Sequence, residues 1–158
     1  VRAILISHNH MDHLLGFEEV TSKISAPVGI GSPDAAALPR DPDFLLENGY
    51  EITAGNESLM PIFTPGHTDG STCLWTGTHL FTGDTLFPGG PGKSRSPEAL
   101  SQLIESIKSN LFTLPQGISF YPGHGDDGSL DVSKNDYNIY SSKEHSPDLC
   151  GDVEWLKN

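Results

Sequence analysis

Five of the seven histidines in this 158-residue chain fall in three short segments marked by glycine or aspartate. Three lie within six residues, in His8-Asn9-His10-Met11-Asp12-His13. Two more stand between a glycine and a small residue, in Pro65-Gly66-His67-Thr68 and Pro122-Gly123-His124-Gly125. Asp84 follows an apolar run, in Thr82-Gly83-Asp84-Thr85. Neutral imidazole and carboxylate are good donors to divalent zinc, manganese or iron. His8 and His10, two residues apart in an extended segment, project to one side and can hold one ion. Asp12 and His13 follow where the chain turns into a helix, so they point elsewhere and suit a second ion. Glycines beside His67 and His124 let the backbone bend sharply close to the ions. A carboxylate such as Asp84 can bridge two cations, and its charge offsets their repulsion. The first ion then has three imidazoles plus the bridge, and the second has Asp12, His13, His124 and the bridge, with room for a shared water. One histidine in a glycine-rich loop is ordinarily a surface or capping residue; the joint occurrence of five favours coordination. His79 and His145 fit no such pattern and read as structural or solvent-facing.

These groups need elements to carry them. The apolar run 3–7 reads as a buried strand that ends at the first histidines. A helix starts near Asp12, with Leu14, Leu15, Phe17 and Val20 at helical spacing. A second strand spans 27–31, and Ser32-Pro33-Asp34 caps a brief helix over 35–38. Residues 39–48 read as a surface loop. Strands are expected over 50–53, 59–64, 72–76 and 79–82, with Thr76-Gly77-Thr78 as a turn. Residues 88–92 read as a Gly/Pro loop. Ser96-Pro97-Glu98 starts a helix whose apolar stripe is Leu100, Leu103, Ile104, Ile107 and Leu111. A last strand over 118–121 leads into the His124 loop, and a helix is expected near 132–140. Every candidate ligand thus lies in a loop at a strand end, where function commonly resides.

Composition narrows the classes. Hydrophobic residues make up 35% of the chain, enough for a packed core. No run approaches the roughly 18–20 apolar residues needed to cross a bilayer. A net charge of −12 and a pI near 4.7 disfavour nucleic-acid and anionic-membrane partners. Cys73 and Cys150 cannot make a disulfide framework and read as reduced thiols, Cys73 as a small buried side chain in a cytoplasmic protein. The expected organisation is one domain over 1–158, of which 129–158 is a C-terminal tail.

At the histidine segments the sequence resembles the metallo-β-lactamase superfamily, on the side of the glyoxalase II-like (hydroxyacylglutathione hydrolase-like) enzymes. The HxHxDH motif is complete in His8, His10, Asp12 and His13. The segments at Thr64-Pro65-Gly66-His67-Thr68, Thr82-Gly83-Asp84-Thr85 and Tyr121-Pro122-Gly123-His124-Gly125 follow in the family's order. The resemblance implies an α+β fold, an αββα sandwich, and a site for two divalent ions, zinc first, with iron and manganese as alternatives. In it, His8, His10 and His67 hold the first ion, Asp12, His13 and His124 the second, and Asp84 bridges them. In the family several strands precede HxHxDH, whereas here the motif begins at residue 8. The N-terminal strands are therefore expected to be lacking, leaving the strand over 3–7 with an unpaired edge, a route to homo-oligomers. About 34 residues follow the His124 loop, too few for the added helical domain of glyoxalase II. Residues 145–156 either pack near the mouth of the site with Trp155 as an anchor or form a plain docking tail.

The chemistry implied is hydrolysis of a small ester, thioester or lactone. Water shared by two divalent ions loses a proton near neutral pH, and the metal-bridged hydroxide attacks the carbonyl. Asp12 is the expected catalytic residue, orienting the hydroxide and shuttling a proton. Gly89-Gly90-Pro91-Gly92-Lys93-Ser94 imitates a phosphate loop but has Phe87 where the first glycine belongs, and Pro91 removes a backbone donor. It looks more like the family's GGxGK/R loop, in which Lys93 would contact a substrate carboxylate. Two other readings compete. One is a mononuclear iron oxygenase resembling the persulfide dioxygenases, disfavoured by the intact His13 and His124. The other is a truncated metal-binding remnant without turnover.

Overall fold

The first apolar run forms β1 (Ile4–Ile6), which pairs in parallel with β2 (Val28–Gly31), and β2 pairs in parallel with β3 (Phe44–Leu46). The computed structural model describes residues 1–158, the side chain of Ala54 excepted. Two short helices, α1 (Met11–Leu14) and α2 (Phe17–Lys23), follow β1. They are separate where one helix was expected, with Leu15 and Gly16 between them. The apolar side chains Ile6, Phe17, Val28, Ile30 and Leu38 close a small core between this sheet and α2. Residues Ser32–Ala37 form a 3-10 helix instead of the expected helix over 35–38. The strand β3 was expected as loop: at three residues it is too short to show alternation, and only the run Phe44-Leu45-Leu46 marks it.

The second sheet has the order β11-β10-β7-β6-β5-β4, formed by β4 (Ile52–Ala54), β5 (Glu57–Phe63), β6 (Thr72–Trp75), β7 (His79–Gly83), β10 (Ser119–Pro122) and β11 (Gly128–Ser129). Between them, β8 (Leu86–Phe87) and β9 (Gly90–Pro91) make a two-residue hairpin inside the expected Gly/Pro loop. Leu80, Cys73, Ile62 and Phe120 point from this sheet into the larger core, which is closed by α3 (Pro97–Ser106) and α4 (Leu130–Ser141). Ser96 caps α3 by accepting the Ala99 amide, and a π-helical turn, Ile107–Leu111, continues it. Leu100, Leu103, Ile107 and Leu111, four of the five residues of the expected stripe, are buried. The layers therefore run helix, sheet, sheet, helix.

The sheets meet at one edge. The Thr72 amide at the start of β6 donates to the Ser7 carbonyl just past β1, at 2.9 Å. Because β6 is antiparallel to β5 and β7, and β10 is parallel to β7, the C-terminal ends of β5, β7 and β10 lie on this same edge. Among the described residues β1 pairs only with β2 and lies at one side of its sheet. A cleft of about 410 Å³ opens beside it, lined by Ile4, Ile6, Leu74, Phe81 and Tyr121.

Candidate metal centre

Each candidate ligand leaves the end of a strand at that shared edge. His8 and His10 follow β1, Asp12 and His13 lie in α1, His67 follows β5, Asp84 follows β7 and His124 follows β10. The fold brings all seven together. Donor atoms of His8, His10 and His67 lie within 4.8 Å of one another, as do those of Asp12, His13 and His124. Asp84 stands between the two triads. Its Oδ1 is 3.3 Å from His13 Nε2, and its Oδ2 is 3.7 Å from both His67 Nε2 and His124 Nε2. His124 Nε2 lies 2.9 Å from Asp12 Oδ2 and 3.3 Å from His13 Nε2.

The hydrogen bonds around the His8 and His67 rings leave their Nε2 atoms free. Lys93 O, which can only accept, lies 2.8 Å from His67 Nδ1, so Nδ1 carries the proton and Nε2 keeps its lone pair. Ser7 Oγ lies 3.0 Å from His8 Nδ1. His8 Nε2, His67 Nε2 and Asp84 Oδ1 are buried without a hydrogen-bond partner among the described residues. Buried polar atoms left unpaired are costly, and here they converge with further nitrogen and oxygen donors. That set fits divalent cations. Gly123 makes room for it: a Cβ there would collide with Asp84 Oδ1 and the His13 ring.

The electrostatics suit ligation. Burial, and then the neighbouring His13, His67 and His10, push the His8 pKa down to about 3. Burial also lowers that of His67, against the opposing pull of the Lys93 carbonyl. Both rings are therefore neutral, the ligating form, at neutral pH. Desolvation pulls the Asp12 carboxyl up, but its own backbone amide, His13 and His124 outweigh that and hold it below the ordinary carboxylate range.

One residue of this architecture escaped the sequence reading. Asp34 is buried, and its Oδ2 accepts from the Asn9 amide at 3.0 Å and the Thr68 hydroxyl at 2.7 Å, while its Oδ1 accepts from the Gly70 amide at 3.0 Å. It ties the His8–His10 segment to the His67 loop. In sequence it reads only as part of a helix cap; its distant partners are visible only in the fold. Lys93 lines a pocket of about 290 Å³ with His10, His67 and Arg95, and its Nζ lies 3.5 Å from Asp152 Oδ2. Trp155 is fully buried against Phe112 and Tyr137, and the tail reaches the site through residues 151–154 instead, beside the Lys93 loop. His79 is exposed, and His145 stacks on Tyr140 away from the cluster.

Comparison with known proteins accords with this geometry. The model of the metallo-beta-lactamase superfamily matches residues 1–132. The chain is 39% identical over 124 residues to a hydroxyacylglutathione hydrolase of Anaeromyxobacter dehalogenans, covering 78% of this chain and 48% of that protein. It is 33% identical over 135 residues to the "Probable polyketide biosynthesis zinc-dependent hydrolase BaeB" of Bacillus velezensis, covering 77% and 56%. The chain thus spans about half the length of these two relatives. The solved structure of TTHA1623 in a di-iron-bound form superposes with a TM-score of 0.73 at 28% identity, covering 84% of this chain and 74% of that one. Among the described residues no helix is long and apolar enough to cross a membrane. The order of the histidine motifs, the paired sheets between helices and the matched family model lead to one conclusion: the chain belongs to the metallo-β-lactamase superfamily.

Proposed function

We propose that this chain, acting as a single domain over residues 1–158, is a binuclear metallo-hydrolase that cleaves a small ester, thioester or lactone. His8, His10 and His67 would hold one divalent ion, Asp12, His13 and His124 the other, and Asp84 would bridge them. When bound, the two ions supply Lewis acidity, which polarises a carbonyl and lowers the pKa of water. The protein's own groups do the rest. Asp12, exposed at the edge of the cluster and held in its ionised form, orients the attacking water and accepts its proton. The buried imidazoles stay neutral, and their Nδ1 contacts with Ser7 and Lys93 fix their orientation. Lys93, at the rim of the adjoining pocket, meets a carboxylate on the substrate. The hydrolase names of the relatives support this reading.

The observation that carries the reading is the convergence of the unpartnered, buried His8 Nε2, His67 Nε2 and Asp84 Oδ1 on one point from the ends of three different strands. Zinc is the expected metal, and the di-iron neighbour keeps iron as the second choice. The test joins elemental analysis to assays with a thioester and a lactone. Two zinc ions per chain and turnover of one of these are expected. A single iron per chain would replace the hydrolase reading by the mononuclear oxygenase, and metal without turnover would leave a binding protein. Asp84→Ala is expected to lower metal content and abolish hydrolysis. Unaltered stoichiometry in that variant would rule out the bridge.

A further inference from the structure

The segment from Gly89 to Ser94 supplies the acceptor for His67, and three of its six residues are glycine. Glycine-rich segments lose much conformational freedom on ordering, and the β8–β9 hairpin gives this one only two residue pairs of its own. Further restraint comes from the far end of the chain. The Ser94 amide donates to the Gly151 carbonyl at 3.1 Å, and the Gly151 amide donates back to the Ser94 carbonyl at 3.0 Å, with Ser94 Oγ 3.1 Å from the same amide. The Trp155 amide donates to the Gly89 carbonyl at 2.9 Å. Between these ties the Val153 carbonyl lies flush on Gly90, so a Cβ there would strike it. Val153 and Trp155 are themselves locked into the larger core. The tail therefore grips the segment at both ends. The residue next to Ser94 is Lys93, whose carbonyl holds His67 Nδ1 at 2.8 Å. On the inner side, Gly92 is packed against the Asp84 carbonyl and its amide donates to the Thr85 carbonyl at 3.1 Å.

We propose that residues 151–155 are a strap that holds the Lys93 carbonyl against His67, so that Ser94, Gly151 and Trp155 are positioning residues for the first ion. The proposal rests on His67 being a metal ligand, but the contacts that make the strap lie outside the ligand set. Partners that orient a ligating histidine are commonly worth 10–100-fold in metal affinity. Coupling of this kind is reciprocal: if the strap favours the ligating pose of His67, metal must favour the closed strap by the same factor.

The experiment is amide hydrogen exchange on the full chain, metal-free and zinc-loaded, with zinc stoichiometry measured alongside. Exchange at the Ser94, Gly151 and Trp155 amides is expected to slow about tenfold or more on zinc loading, whereas amides of the remote β4, which exchange by local fraying, stay unchanged. Chelator competition on Gly151→Pro, which loses the donor and cannot adopt the native φ of +88°, is expected to show one of two zinc ions weakened 10–100-fold and the other unchanged. Trp155→Ala should behave alike, and Trp155→Phe should restore the affinity. Equal exchange at the three strap amides with and without zinc overturns the strap, as does a folded Gly151→Pro that binds both ions as tightly as the wild type. If Gly151→Pro does not fold, wild-type exchange decides. If the wild type binds no zinc at all, the ligand reading of His67 falls and the strap falls with it.

Discussion

His8 shows what burial does to a single side chain. An imidazole with an ordinary pKa of 6.5 is held near 3, chiefly by desolvation and then by three neighbouring histidines. The consequence for the metal-free protein has a definite sign. Below pH 6.5 the unfolded chain takes up a proton at this site that the native state refuses until about pH 3. Stability from this residue is therefore full above pH 6.5 and lost as pH falls from there toward 3, at up to about 1.4 kcal/mol per pH unit for one such group. Urea midpoints measured between pH 7.5 and 4.5 should fall steadily for the metal-free wild type and less steeply for His8→Gln. Equal slopes would show that His8 is not held neutral. The histidines and Asp84 were legible as a set because their neighbours, glycine and aspartate, recur at each segment. Asp34 was not, since its meaning lies in three partners from two other segments.

Among the elements, the strands carry the site and the glycine loops aim it. The clearest case is the turn after β10, where the Gly123 amide donates to the Gly83 carbonyl at 2.9 Å and draws His124 toward Asp84. Gly123→Ala would drive a methyl into Asp84 Oδ1 and the His13 ring. It is expected to cost about 1–3 kcal/mol of stability, as overpacking does. It should also reduce zinc content in a protein that still melts cooperatively; full occupancy at wild-type stability would show that the turn can yield. Most strands were legible from short apolar runs between glycine, proline and asparagine, and α3 from its stripe and its Ser96 cap. The break at Gly16, the three-residue β3 and the β8–β9 hairpin were not. Elements this short have no period to read, and they form because neighbouring strands supply the hydrogen bonds.

In the molecule as a whole, two small cores are joined across the edge that carries the site. Ions bound there would tie the β1 segment to the second sheet through His8, His10 and His67. Binding to the native state alone stabilises by mass action, about 2.7 kcal/mol per site at free metal one hundred times the dissociation constant. For a chain of this size that is roughly 5–10 °C in melting temperature. Removing metal with a chelator should therefore lower the melting temperature by at least that amount and restore it on adding zinc back. No shift would mean that the cluster does not hold metal in the native state.

The local pattern alone determined which residues could coordinate and which strands deliver them, and it carried the motifs on which the family resemblance rests. Which residues could coordinate is a matter of spacing and residue type, and it survives without knowledge of any distant contact. Only the tertiary structure decided that Asp34 braces two ligand loops, that Trp155 belongs to the core, and that residues 151–155 grip the segment behind His67. Each of those depends on groups far apart in the chain meeting in space, and no sequence period records such a meeting.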